Sequence, residues 1–250
     1  MPDFGKLTAA RLPYSTPITA PFYPPPPWHL EDAQILQISF EIEKEASLAW
    51  LPPGLTRAIP PYAQIMVTHY PTSPIGSFSL AVLLNVCRYQ VRARAFPVTA
   101  IVDTVPALAP LREVWAFPAK LGKIALEKVD GRVEASAATA DGKPLIALEI
   151  GNVEEIDQGQ TRFDPFLNLR LVPSVQEGKP PLVLELLQVD PEYHIKAAWR
   201  GKPKVTFSEA VAAEGWGVFT PLNMIAGVYS VCDTDLPFAR YTQEFEPAPR

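Results

Sequence analysis

Hydrophobic and polar residues alternate along much of this chain. The alternation is clear in residues 33–40, 122–127, 129–137 and 145–150. A period of two is typical of strands with one buried face, and an Asp-Gly pair between two such segments indicates a tight hairpin. Asp130-Gly131 and Asp141-Gly142 lie at such places. The pattern therefore predicts a series of antiparallel strands.

Two further features extend this prediction. Residues 78–91 are strongly apolar, which is typical of a strand that is covered on both sides. Helix-like patterns are short and occur at residues 208–214 and 221–231. Other strand-like segments are residues 62–70, 97–103, 166–172, 182–189 and 195–199. We therefore predict one mainly β domain whose antiparallel sheet is closed or nearly closed, because closure leaves few exposed edges.

The N-terminal part of the chain differs in composition. The chain has 29 prolines, and many of them lie in residues 1–27, including the run Pro24–Pro27. Such a run favours an extended polyproline conformation, which the aromatic side chains of Tyr14, Phe22 and Tyr23 could attach to the body of the protein. We predict a proline-rich arm over residues 1–27 and a single domain over residues 28–250.

Charge and composition exclude several classes of protein. The formal net charge is −5, whereas binding to nucleic acid requires a basic face. No apolar segment approaches the length of a membrane span, so we expect a soluble, cytoplasmic protein. Cys87 and Cys232 lie in apolar surroundings and are predicted to be buried free thiols. No metal-ligand spacing, phosphate-binding loop or Ser-His-Asp order stands out, and we therefore expect neither a metal nor a cofactor.

Residues 111–122 carry the most distinctive chemistry of the sequence. They read Leu-Arg-Glu-Val-Trp-Ala-Phe-Pro-Ala-Lys-Leu-Gly and include Arg112, Glu113 and Lys120. A lysine on a stiff segment between aromatic residues can act as an amine nucleophile when desolvation lowers its pKa. The alternative is a solvated lysine at the end of a strand, which is the commoner situation. Arg112 and Glu113 are predicted to form a structural ion pair.

The same segment resembles the signature of the acetoacetate decarboxylase family. In that signature a Gly-Arg-Glu triplet is followed by an aromatic residue and then by Pro-Lys-Lys-Leu-Gly, in which the first lysine is the Schiff-base nucleophile. Here Ala119 stands at the position of the nucleophile, and Lys120 matches the second lysine. Residues 198–203, Ala-Trp-Arg-Gly-Lys-Pro, also resemble a family segment, and the likeness runs from about residue 28 to the end.

This resemblance implies a fold and, at the same time, a loss of chemistry. The fold is a cone-shaped antiparallel β-barrel with a few peripheral helices, a buried apolar pocket and assembly into a homo-oligomer. Leu80 stands at the position of the family's catalytic glutamate and Ile65 at that of a second pocket glutamate, and no arginine lies near 31–32, where the family has one. An uncharged pocket disfavours a β-keto acid, because a buried carboxylate needs a partner. We therefore expect a hydrophobic small-molecule substrate.

Few polar groups remain as candidates for catalysis. His69 is the first, because an imidazole changes its charge near neutral pH, although a lone histidine is more often structural. Lys120 is the second, although alternation along a strand would turn it away from a pocket that contains Ala119. The predicted pocket lining comprises Ile65, Tyr70, Leu80, Arg112, Glu113, Trp115, Phe117 and Ala119.

Three hypotheses for the function follow. The first is an enzyme of secondary metabolism that holds a hydrophobic intermediate in a reactive conformation and promotes a cyclisation, an isomerisation or a pericyclic step. The second keeps a Schiff base, with Lys120 as the amine in a decarboxylation or an aldol reaction. The third is a small-molecule-binding protein without turnover.

Overall fold

The computed structural model describes residues 3–209 and 211–244. Within these residues, thirteen strands form one sheet, and only three short α-helices accompany it. The predicted mainly β fold with a few helices is therefore confirmed. None of the described helices is long and apolar enough to cross a membrane.

The elements follow one another along the chain in this order. The strands are β1 (Trp28–Glu41), β2 (Leu55–Arg57), β3 (Tyr62–Tyr70), β4 (Phe78–Tyr89), β5 (Arg92–Val102), β6 (Ala119–Val129), β7 (Arg132–Thr139), β8 (Pro144–Ile156), β9 (Phe166–Val172), β10 (Val183–Val189), β11 (Glu192–Phe207), β12 (Met224–Leu236) and β13 (Arg240–Glu244). The α-helices are α1 (Lys44–Ala49), α2 (Val105–Glu113) and α3 (Val211–Glu214), and short 3-10 turns occur at Ala9–Arg11 and Gln158–Gln160.

Both Asp-Gly hairpins form as the sequence predicts. β6 and β7 meet at Asp130-Gly131, and the turn between β7 and β8 contains Asp141-Gly142. Gly131 and Gly142 have φ angles of +75° and +88°, a region that glycine adopts without steric cost. These two turns set the register of three neighbouring strands.

Nine of the strands close into a ring, because β4 pairs with both β3 and β5. The order around the ring is β5-β6-β7-β8-β11-β12-β1-β3-β4. β9, β10 and β13 extend the sheet from β5, and β2 pairs with the end of β4. Closure pairs the backbone groups that an open sheet would expose at its edges.

Two expectations from the sequence need correction. β5 and β6 run parallel, because the chain crosses between them through α2 instead of a hairpin. Residues 221–231, which look helical in the sequence, instead enter β12, which pairs with β1 on one side and with β11 on the other. Pairing on both sides of this strand overrides a weak local preference for a helix.

Alternation along the strands contributes to three apolar cores among the described residues, two large and one small. The inner core fills the ring and receives side chains from all nine ring strands, among them Ile38, Ile65 and Leu83. The outer core lies on the other face of β1, β3, β4 and β5 and includes Met66 and Leu80. It is covered by α2 and the residues that follow this helix.

The predicted N-terminal arm takes part in the outer core. Tyr23 is buried there, and its ring meets that of Tyr14 edge-on with 6.1 Å between the centroids. The Ser15 hydroxyl donates a hydrogen bond of 3.0 Å to the carbonyl oxygen of Tyr23. Residues 1–2 of the predicted arm and residues 245–250 of the predicted domain lie outside the described part of the chain.

Candidate functional site

Residues 111–122 form a sharp connection between α2 and β6. Ala116 adopts a left-handed conformation with a φ angle of +57°, and the N–H of Phe117 donates to the carbonyl oxygen of Leu111 at 2.8 Å. The chain thereby turns back over the end of the helix, and β6 begins at Ala119. This connection directs the aromatic side chains of the segment into the outer core.

Two aromatic residues anchor the connection. Trp115 is 0% exposed, its ring meets that of Trp28 edge-on at 4.8 Å, and its Nε1 donates to the carbonyl oxygen of Pro237 at 2.7 Å. The ring of Phe117 meets that of Phe166 edge-on at 5.2 Å. A buried indole needs a partner for its N–H, and Trp115 has one, so the segment is held both by packing and by a hydrogen bond.

Ala119, which the resemblance places at the position of the family's nucleophile, lies in the outer core. Ala119 pairs with Ala100 of β5 and is only 1% exposed. Leu80, which the resemblance places at the position of the family's catalytic glutamate, is 3% exposed and belongs to the same core. Ala33 and Met66 are also buried there. An apolar, close-packed environment therefore occupies the place where the family's signature would put an amine.

Charged side chains are almost absent from buried positions. Arg94 is the only Lys, Arg, Asp or Glu residue that is buried in the described part of the chain. Its guanidinium donates to the side-chain oxygen of Gln188 at 3.2 Å. The described residues therefore offer no buried lysine that could form a Schiff base.

Lys120 projects from the opposite face of β6 to Ala119, as strand alternation requires. Its side chain is 57% exposed, and its Nζ lies 2.7 Å from Oε2 of Glu214 in α3. The amine is thus solvated and ion-paired, and it does not enter the outer core. An ion pair of this kind contributes little to stability, because water screens both charges.

Arg112 and Glu113 do not form the predicted ion pair with each other. Arg112 Nη1 donates to the carbonyl oxygen of Ala119 at 2.8 Å, and Glu113 accepts a short hydrogen bond from the Tyr23 hydroxyl. Neighbouring residues on a helix do not face each other, which explains why the two side chains diverge. Burial raises the pKa of Tyr23, and the bond to Glu113 raises it further, so the phenol remains a donor.

The candidates on β3 fall on different faces of the strand. Tyr70 lies in the outer core, where its ring packs against Phe78 with 4.8 Å between the centroids. Ile65 lies in the inner core. His69 is half-buried, and strand alternation places it on the same face of β3 as Ile65; its Nδ1 lies 3.1 Å from the Ser79 hydroxyl. The structure therefore does not bring His69 and Ile65 together with Tyr70.

The outer core contains polar groups that the sequence did not identify as a cluster. Burial raises the pKa of Tyr70 and of Tyr193 well above the usual range, and Cys232 is buried in the same core. Burial also raises the pKa of the Cys232 thiol to about 11. Cys87 and Cys232 are buried free thiols, as predicted. The only signal for Tyr193 in the sequence is its alternation with Ile195, which does not show that it packs against the same core as Tyr70.

An open groove of about 940 Å³ runs beside the connection between α2 and β6. Four of the predicted site residues, Arg112, Glu113, Phe117 and Lys120, line it. The remaining lining includes aromatic and charged groups from distant parts of the chain, namely Tyr14, Tyr23, Arg170, Glu185, Phe238 and Tyr241. No spacing in the sequence connects these residues, because the sheet brings β9, β10 and the arm together only in the folded chain.

The groove combines apolar surface with paired charges. Arg170 Nη1 lies 3.4 Å from Oε1 of Glu185. Tyr14 meets Phe238 edge-on with 6.3 Å between the ring centroids. This arrangement can hold an apolar body against aromatic rings while a polar group meets charged side chains at the rim. The one group of His, Cys, Asp or Glu side chains in the described residues that could share a metal ion is Glu192, His194 and Asp235, and it does not line this groove.

Comparison with known proteins gives a consistent result. A model of the acetoacetate decarboxylase family matches residues 11–244. The acetoacetate decarboxylase of Streptomyces nogalater is 26% identical over 240 residues, which cover 92% of this chain and 95% of that protein. The crystal structure of acetoacetate decarboxylase from Legionella pneumophila has a TM-score of 0.84 at 19% identity, and the match covers 98% of this chain and 99% of the other.

A third similar protein has a different role. The enduracididine biosynthesis enzyme MppR has a TM-score of 0.80 at 18% identity, and the match covers 97% of this chain and 98% of that protein. At this level of identity the structural likeness shows a common fold, whereas the family match covers nearly the whole described chain. The chain is a member of the acetoacetate decarboxylase family.

Proposed function

We propose that this protein has lost the Schiff-base decarboxylase chemistry of its family and binds a hydrophobic small molecule. It then promotes a cyclisation, an isomerisation or a pericyclic step by holding its ligand in a reactive conformation. The observation that carries the proposal is the burial of Ala119 and Leu80 in an apolar core, at positions where the resemblance to the family would place a lysine and a glutamate.

A Schiff-base mechanism needs an amine that is desolvated beside the substrate carbonyl. Arg94 is the only buried Lys, Arg, Asp or Glu of the described chain, and an arginine cannot supply that nucleophile. Lys120 is exposed and ion-paired with Glu214, so its amine is neither desolvated nor free. These facts favour a reaction that depends on restraint of the substrate over one that depends on a covalent intermediate.

The groove is the proposed binding site. Its exposed aromatic side chains are Tyr14, Phe238 and Tyr241, and its charged groups include Arg112 and Glu113. Phe117 belongs both to the groove lining and to the outer core, so a ligand there would lie against the rigid connection that follows α2. Ligands of this kind are commonly held by an apolar surface with a few polar groups that set their orientation.

One similar protein supports a role outside acetoacetate decarboxylation. MppR is an enzyme of enduracididine biosynthesis, and one of its structures contains the condensation product of pyruvate and imidazole 4-carboxaldehyde. The same fold therefore occurs in a biosynthetic enzyme. This likeness supports the proposal that the present chain acts in secondary metabolism.

Mass spectrometry can test the proposed chemistry directly. The protein is incubated with acetoacetate or pyruvate, reduced with borohydride and examined as an intact chain. We expect no added mass and no release of CO₂ from acetoacetate. A covalent adduct on Lys120 would instead support the Schiff-base hypothesis and overturn the proposal.

The reaction itself can be followed with a ligand that co-purifies with the protein. Native mass spectrometry identifies the ligand, which is then extracted and incubated with fresh protein. Cyclisation, isomerisation and pericyclic rearrangement conserve mass, so we expect a product of equal mass and a different retention time. Loss of the mass of CO₂ would contradict the proposal, and tight binding without any product would show a binding protein instead of an enzyme.

A further inference from the structure

Three neighbouring strands bring four potential metal ligands together on the surface, away from the groove lining. Asp235 of β12 pairs with His29 of β1 on one side and with Glu192 of β11 on the other. His194 lies two residues beyond Glu192 and therefore projects from the same face of β11. The register thus places two imidazoles and two carboxylates around one point.

The side chains already converge on Asp235. His29 Nδ1 lies 2.7 Å from its Oδ1, and His194 Nε2 lies 3.3 Å from its Oδ2. The ligand atoms of Glu192, His194 and Asp235 all lie within 4.8 Å of one another. Ligand atoms of a tetrahedral zinc ion are about 3.3 Å apart, given metal–ligand bonds of about 2.0 to 2.2 Å. Small rotations of these exposed side chains would bring the ligand atoms to the spacing that zinc requires.

The surrounding charges favour a cation at this point. Lys196, the neighbouring amine, is already paired with Asp32 at 2.7 Å and with Asp233 at 2.6 Å. Its charge is therefore balanced by carboxylates outside the cluster. The carboxylates of Glu192 and Asp235 can thus face an added cation without competition from this lysine.

We propose that Glu192, His194 and Asp235 bind one divalent transition-metal ion, with zinc as the ion to test. A mixed set of imidazole and carboxylate donors suits such ions better than calcium or magnesium, which prefer oxygen donors alone. His29 acts as a positioning residue, because it holds the Asp235 carboxylate in orientation from the side away from Glu192. The site does not depend on the function proposed for the groove.

Metal titration of the tag-free, full-length protein tests the proposal. After treatment with a chelator and removal of the chelator, the protein is titrated with zinc chloride and, in parallel, with cobalt chloride. We expect one zinc ion per chain by calorimetry and visible absorption bands of four-coordinate cobalt at the same stoichiometry. Asp235→Asn and His194→Gln should abolish stoichiometric binding, and His29→Gln should weaken it about 10- to 100-fold.

His69→Gln is the matched control, because it removes an imidazole from β3 outside the cluster and should leave zinc binding unchanged. Glu192→Gln provides a second test at an exposed position in case a variant at Asp235 fails to fold, which the far-UV spectrum without metal would show. Failure of the wild-type protein to bind one equivalent overturns the proposal. So does binding that is unchanged in the well-folded Asp235→Asn and Glu192→Gln proteins, or that is lost equally in His69→Gln.

Discussion

Ala119 and Lys120 are neighbours in the chain but lie in opposite environments. Ala119 is packed in the outer core beneath the connection from α2, whereas Lys120 is on the surface, pairs with Glu214 and lines the groove. One step along a strand exchanges the two faces of the sheet. The second lysine of the family signature therefore cannot replace the first without a change in the register of β6.

The same comparison extends from these two residues to their surroundings. The outer core contains buried phenols and a thiol but no buried lysine or carboxylate among the described residues. The groove contains charged side chains, of which Arg170 and Glu185 pair with each other and Lys120 pairs with Glu214. In the described part of the chain, the outer core therefore supplies desolvation and the groove supplies charge.

Placing a lysine in the outer core should have the largest effect. Ala119→Lys buries an ammonium group, and buried lysines have pKa values lowered by up to about 3 to 5 units, each worth about 1.4 kcal/mol. We expect the free energy of unfolding at pH 7 to fall by about 4 kcal/mol or more. Ala119→Met, which adds similar volume without charge, should lose only about 1 to 3 kcal/mol by overpacking.

The charge effect of Ala119→Lys should also depend on pH. Because the lysine pKa is lower in the folded protein, the unfolded chain binds more protons between the two pKa values, and stability rises with pH in that window. Urea unfolding should show that Ala119→Lys is less stable than Ala119→Met at pH 7. This difference in the free energy of unfolding should be smaller at pH 9.5. An equal difference in the free energy of unfolding at both pH values would show that the amine reaches solvent and that the outer core is open to water.

Removal of the central indole should have the next largest effect. Trp115→Ala deletes a fully buried side chain together with its contact with Trp28, and we expect a loss of about 3 to 5 kcal/mol in the free energy of unfolding. Trp50→Ala is the matched control, because Trp50 is 48% exposed and should cost about 0.5 kcal/mol or less. Similar losses in both variants by urea denaturation would contradict the anchoring role of Trp115.

The hydrogen bond between Tyr23 and Glu113 should have an intermediate effect. Tyr23→Phe keeps the buried ring but leaves Glu113 without this donor, and hydrogen bonds to charged groups are worth about 1.5 to 3 kcal/mol. Tyr14→Phe should cost less, because the Tyr14 side chain is more exposed. The melting temperatures of the two variants provide the measurement. A smaller shift for Tyr23→Phe than for Tyr14→Phe would show that the arm is not fastened through this bond.

Much of the fold follows from local pattern in the sequence. β3 and β9 occupy the residues 62–70 and 166–172 that alternation and apolar content indicate, and both Asp-Gly hairpins form. The segment 221–231 fails, because its strand depends on partners that lie far away in the chain. Local pattern is informative where neighbours in sequence also pair, and it is weak where pairing is long-range.

The candidate site could be predicted only in part, and β3 shows why. Apolar residues occupy both faces of this strand, so nothing in the sequence indicates that Ile65 enters the inner core while Met66 enters the outer one. A strand with one face in solvent carries polar residues on that face, and the sequence then shows which residues point inward. The groove cannot be predicted from the sequence for a different reason, because Tyr14, Arg170 and Phe238 come together only through the folded sheet and the arm.

Substitution of Lys120 should have the smallest effect on stability. The activity of the Lys120 variants decides most directly between the proposed function and the Schiff-base hypothesis. Lys120→Ala removes an exposed ion pair, and we expect a change in stability of about 0 to 1 kcal/mol. Lys120→Met keeps most of the length of the side chain and serves as the matched control for contact with a ligand in the groove.

Binding of the aromatic anion 8-anilinonaphthalene-1-sulfonate, followed by fluorescence, should weaken more in Phe238→Ala than in either lysine variant, because aromatic surface supplies most of the contact. Turnover of the co-purifying ligand should persist in both lysine variants. If both lose turnover while they still bind the ligand, Lys120 participates in the reaction, and its surface position is then a resting state from which the amine must move.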